Sequence, residues 1–158
     1  MANTQAMTTS FMGELMTATH NFGTAPIRAA TTADTFKAAL YLTSATVNAA
    51  TTAYSSSGEV TGTNYTAGGV TVTNATAPIA TNSSATAGVA YWTPSASITY
   101  TTVTLSTAFD AVLIYNSTQS NKAVSVHTFG SQTITAGTFT LTMPSNSTTT
   151  ALLRLSTT

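Results

Sequence analysis

Few residues in this sequence can move a proton, attack a carbonyl or hold a metal. Histidine occurs at His20 and His127, the acids are Glu14, Asp34, Glu59 and Asp110, and cysteine is absent. The lack of cysteine removes thiolate nucleophiles, thiolate metal sites and disulfides. A metal site would need both histidines brought together with a carboxylate. His20 closes a helical pattern and His127 sits inside a strand pattern, on the face with Phe129, so each reads as a partly buried structural histidine. A Ser-His-Asp triad can be drawn from Asp110 and His127, but serine is so abundant that the drawing carries no specificity. A glycosidase pair would have to come from the four acids, of which Asp110 falls within a strand and is expected to hold backbone amides. The expectation is no enzyme: no catalytic residue, no metal and no cofactor.

Residues 59–74, EVTGTNYTAGGVTVTN, place one acid, one tyrosine and a glycine pair in a stretch of threonine and alanine. A phosphate cradle needs glycines spaced around a basic residue at a helix start. Gly68 and Gly69 have no lysine beside them and lead into a strand, so the pair reads as a turn with positive φ, and Glu59 and Tyr65 as loop anchors. The sequons at Asn64, Asn74, Asn82, Asn116 and Asn146 arise by chance in so threonine-rich a chain. Trp92 reads as either a core plug or an interface anchor.

The elements that position these residues follow from composition and periodicity. The length of 158 residues suits one domain over 1–158, with an N-terminal arm and helix over 1–23 and a β-sandwich over 24–158. Charged residues are 5% of the chain, against roughly 25% in ordinary soluble proteins, so hydroxyls and amides must carry solubility. Net charge is zero and the cations are scattered, which argues against nucleic acid. No apolar run approaches the ~18 residues of a spanning helix, so no membrane partner is expected.

SFMGELMTATHN, residues 10–21, has helical spacing, with Ser10 as N-cap and Gly23 and Pro26 as stops. Its apolar stripe serves either as a lid on the core or as a docking surface. Residues 34–43 read as a strand, residues 44–58 as loop with a short paired stretch near Ala53, and residues 70–73 as a strand. A strand over 98–105 has a bulge near Thr101 and Thr102. FDAVLIYN is apolar on both faces and reads as central, and the turn cluster 116–121 joins it to KAVSVHTF as a hairpin. In 132–143, Phe139, Leu141 and Met143 alternate with threonines, and ALLRL ends the set. About seven short strands predict an all-β fold, an antiparallel β-sandwich or jelly-roll-like architecture with a short N-terminal helix.

The ordered set SFMGELMTATHNF, DTFKAALYLTSATVN, TAYSSSGEVTGTNYTAGGV, STAFDAVLIYNSTQSNKAV and AGTFTLTMPSNSTTTALLRL resembles a family of small tailed-bacteriophage virion structural proteins over most of residues 10–155. The resemblance implies a capsid decoration (cement) protein on the capsid surface of the virion, a homotrimer clamping the major capsid protein. Phe11, Leu15, His20, Phe22 and Trp92 are its candidate assembly contacts. Other readings are a tail or head-fibre adaptor, or a glycan-binding module using Tyr91, Trp92 and Tyr100 as a stacking platform.

Overall fold

Ala111 through Tyr115 offers an apolar side chain to both faces, and such a segment is stable only when covered on both. In the computed structural model, which describes residues 3–8, 11, 15, 19–20, 22, 33–73, 78–81 and 89–156, it lies in the inner half of strand β6 (Ile98–Asn116). β6 lies between β7 (Lys122–Leu141) and β2 (Phe36–Leu42), and β1 (Ala6–Met7) and β3 (Val70–Thr71) flank these in a five-stranded antiparallel sheet. β4 (Ile79–Thr81), β5 (Val89–Trp92) and β8 (Leu153–Ser156) form a second, three-stranded sheet. The result is an all-β, antiparallel two-sheet sandwich. Phe36, Leu40, Val112 and Ile114 face a main core that also holds Trp92 and Leu153 of the second sheet. Ala39, Tyr41, Leu113 and Tyr115 face the other way, against Ala45, Val47 and Tyr54 of the loop after β2.

β7 is too long to stay straight. Phe129 and Phe139 lie ten positions apart on it, about 33 Å in an extended strand, yet their ring centroids are 5.2 Å apart and both meet Phe109. The hairpin therefore turns a corner. Its register with β6 shifts between Tyr100 and Val103, Val103 and Leu105, Leu105 and Phe109, and Phe109 and Ala111. Thr102 (φ 53°) and Ala136 (φ 48°) take the left-handed conformation that bulges use. The outer half, 98–105 with 134–141, folds back over the core, where the Tyr100 hydroxyl donates to the Ala38 carbonyl at 2.8 Å. A sheet that bends through bulges to cover its own face is a known route to an orthogonal corner.

Most expected elements are present, including the bulge near Thr102, the turn at 117–121 and the bridge of Ala53 to Lys122. Three differences stand out. The strand expected over 132–143 is continuous with the preceding one as β7, because bulges rather than a chain reversal absorb the bend at Ala136 and Gly137. The N-terminal arm contributes β1, whose Ala6 and Met7 pair with Val126 and Ser125. Of the helix expected over 10–21, Phe11 and Leu15 are helical, no helix is delimited among the described residues, and most of the segment, with its stops Gly23 and Pro26, lies outside them.

The glycine pair behaves as the turn requires. Gly69 has φ 71°, and a Cβ there would sit 1.6 Å from the Ala38 carbonyl oxygen, because the chain presses edge-on against β2 as it enters β3. Gly69→Ala should therefore lower the free energy of unfolding by about 2 kcal/mol or more. Gly130→Ala, where a Cβ meets nothing within 4 Å, should be neutral or slightly stabilising. Urea unfolding of the two variants side by side checks both.

Candidate assembly surface

The candidate contacts Phe11, His20, Phe22 and Trp92 are brought together, but with their rings turned inward. Phe22 stacks on Phe36 of β2 at 4.4 Å and meets Trp92 edge-on at 4.8 Å, while Phe11 meets His20 at 4.8 Å and Phe22 at 5.8 Å. Phe11 and Trp92 are each 2% exposed, and Leu15 is partly buried against the same core. The cluster ties the N-terminal segment to the seam between the two sheets. The edge-to-face contacts are the preferred geometry of aromatic pairs.

His20 is also bound through its ring nitrogen. Asn116, fully buried at the end of β6, accepts at Oδ1 from the backbone N–H groups of Thr118 and Gln119, which fixes the orientation of its amide. Its two N–H hydrogens are then directed at Asp34 Oδ2, 2.8 Å away, and His20 Nδ1, 3.0 Å away. Nδ1 must accept, so His20 is the neutral tautomer protonated at Nε2.

Outside this cluster lies an apolar cleft of about 100 Å³, lined by Phe11, Leu15 and Phe22 on one side and by Trp92, Leu153 and Leu155 of the small sheet on the other. Trp92 pairs with Leu153 and Ala90 with Leu155, which puts all four on one face of that sheet. The inner pair reaches the core. Leu155 overhangs the cleft at 42% exposure, and on the opposite face Ile79, across from Tyr91, is 43% exposed. These are the large apolar side chains that the described surface leaves open.

The segment 59–74 holds a tighter constellation than its reading as loop anchors suggested. Glu59 is 6% exposed. Its Oε2 accepts from the Tyr54 hydroxyl at 2.6 Å, and its Oε1 from the Tyr65 hydroxyl and the Gly68 N–H, both at 2.7 Å. Tyr65 Oη in turn accepts the Leu40 N–H of β2, and the Tyr115 hydroxyl donates to the Gly68 carbonyl. Burial, and after it the neighbouring Glu59 charge, pushes Tyr115 up to about 12. Burial likewise pushes Tyr41 up to about 12, with its bond to the Ser55 carbonyl working the other way. Tyr54 and Tyr65 are raised by burial and by their bonds to Glu59, and Tyr100 by burial and the Glu59 charge.

The remaining chemical candidates are dispersed. Asp110 accepts from the Asn3 side-chain amide rather than from backbone amides, since the neighbouring N–H groups of β6 belong to the sheet ladder. His127 bonds Ser125 at 2.9 Å. Among the described residues no group of three metal-ligating side chains occurs. Trp92 and Tyr100 are both 2% exposed, so their ring faces are not open to a stacking sugar. No family model, curated protein or solved structure matches the chain.

The tyrosine environment sets the behaviour of the fold in alkali. A phenol with a native pKa above its unfolded value near 10 contributes stability that is complete below pH 10 and is lost as pH rises through about 12. Absorbance at 295 nm should therefore show the buried tyrosines ionising late and together with loss of near-ultraviolet circular dichroism. Glu59→Gln, which turns an acceptor oxygen into an NH2 against a phenol or amide hydrogen, should cost about 2 kcal/mol in urea unfolding.

Proposed function

We propose that this chain is a structural protein of a tailed-bacteriophage virion, acting as a capsid decoration protein that binds neighbouring major capsid proteins as a trimer. The reading rests on the ordered sequence resemblance across residues 10–155. The geometric observation that carries it is the apolar cleft beside the N-terminal aromatic cluster, with Leu155 at its rim and Ile79 exposed on the other face of the small sheet. A protein that cements a lattice works by shape and apolar contact repeated by symmetry. A bulged β-scaffold with 5% charged residues suits that work, because its surface offers little charge to desolvate. The aromatic cluster would act behind the surface, holding the cleft wall in place.

A cryo-EM reconstruction of the intact virion tests the reading. Density for this chain repeated over the shell at local threefold axes is the expected result, and density confined to the tail vertex would move the role to a fibre or adaptor. Leu155→Asp and Ile79→Asp should each reduce occupancy on the shell about tenfold or more, equivalent to roughly 1.4 kcal/mol. Because each residue is about two-fifths exposed and neither belongs to the buried core, the melting temperature should stay within a few degrees of wild type.

A further inference from the structure

A strand at the edge of a sheet presents backbone N–H and C=O groups that point away from its neighbour, and such an edge pairs with other chains unless proline, charge or a covering segment blocks it. β7 has β6 along one side, but on the other it has β1 alone, at Ser125 and Val126. Over residues 128–141 no backbone hydrogen bond reaches that second side from any described residue. The sequence does not block it either, since residues 123–143 contain no Asp, Glu, Lys, Arg or Pro. The corner bends the edge as far as Ala136. Beyond it, the irregularity between Tyr100 and Val103 adds its extra residue to β6, so β7 itself is regular over residues 137–141.

The side chains of this run also lack a neighbour. Thr138 and Thr140 are exposed on one face, while Phe139 and Leu141 turn toward the core and are only partly buried, because no described strand lies beyond them. A strand added along the edge would bond the outward-pointing backbone groups and cover the open flanks of Phe139 and Leu141, the mode known as β-augmentation. The run is complementary to itself. Two copies paired antiparallel about Phe139 set Thr138 opposite Thr140 on the exposed face and Gly137 opposite Leu141 on the core face. Threonine then meets threonine, a favourable cross-strand pair, and no like charges meet. The other edge strands, β1, β3, β4 and β8, span two, two, three and four residues, so the edge that matches this one in length is the same edge of a second copy.

We propose that two copies of this chain associate edge to edge through residues 137–141 of β7, in antiparallel register about Phe139, so that the five-stranded sheet continues from one molecule into the next. The contact is isologous, each copy offering the same residues to the other. It is separate from the apolar cleft and from Ile79, both of which lie at the small sheet, and it does not depend on the virion reading.

The test is self-association of the full-length, 15N-labelled chain, followed by sedimentation equilibrium and by residue-resolved amide exchange over a range of protein concentrations. The expected result is reversible association in which alternate amides of residues 137–141 become protected as the concentration rises. Two double substitutions at the exposed threonines fix the register. Thr138→Lys/Thr140→Lys sets like charges opposite each other and should weaken association at least about tenfold, whereas Thr138→Lys/Thr140→Glu sets opposite charges there and should leave it as tight as in wild type or tighter. Urea unfolding should be nearly the same for all three chains, because both side chains are exposed. Exchange at residues 137–141 that does not depend on concentration, or equal loss of association in both double variants, overturns the proposal. A trimer that forms with those amides still open overturns it as well, and leaves the assembly reading standing.

Discussion

The carboxylate of Glu59 is the fixed point about which one edge of this fold is organised. A buried charge is costly unless hydrogen bonds replace its water, and here the donors are two phenols and a backbone amide rather than a cation. Each donor belongs to a different part of the chain that must be held. Tyr54 closes the loop covering the second face, Tyr65 carries the Leu40 N–H at the edge of β2, and Gly68 begins the turn into β3. The chain at 58–60 runs along the same edge, with the Val60 N–H on the Leu40 carbonyl and the Leu42 N–H on the Gly58 carbonyl. An exposed strand edge would be open to pairing with other chains; the Glu59 network covers most of β2 with the protein's own loop.

Seen from this edge, the low charge of the sequence has a structural counterpart. The polar contacts described above rely on hydroxyls, amides and phenols: Tyr100 on Ala38, Tyr115 on Gly68, Asn116 between Asp34 and His20. Such bonds are insensitive to salt, unlike surface ion pairs.

The strands were legible wherever a single face was patterned or both were apolar: Phe36 to Leu42, Phe109 to Asn116, and the alternation of Phe139 and Leu141 with threonine. The corner was legible in part: its irregularities near Thr102 and at Ala136-Gly137 were expected, but not that they fold the hairpin back on itself, which depends on Thr102 and Ala136 adopting positive φ. Neither residue type favours that conformation, and only the surrounding packing imposes it. β1 escaped notice because two residues carry no periodicity and their partner on β7 is remote in sequence. The Glu59 site was half visible. An isolated acid among Tyr54, Tyr65 and a glycine pair is a local signal, but nothing in the spacing tells that its phenols turn inward to share one carboxylate. The candidate contacts Phe11, His20, Phe22 and Trp92 were singled out by type, and the structure adds that they meet one another.

Residue-resolved amide hydrogen exchange tests most directly whether the Glu59 network is part of the core. Two amides report on it, Leu40, which donates to Tyr65 Oη, and Gly68, which donates to Glu59 Oε1. If the network holds the edge as described, both should exchange with the slowest class, alongside Val112 and Leu113 in the central strand, through global unfolding. Exchange of Gly68 and Leu40 at the rate of the exposed loop amide of Ala50 would contradict it, and would mean that the segment opens independently of the sheet.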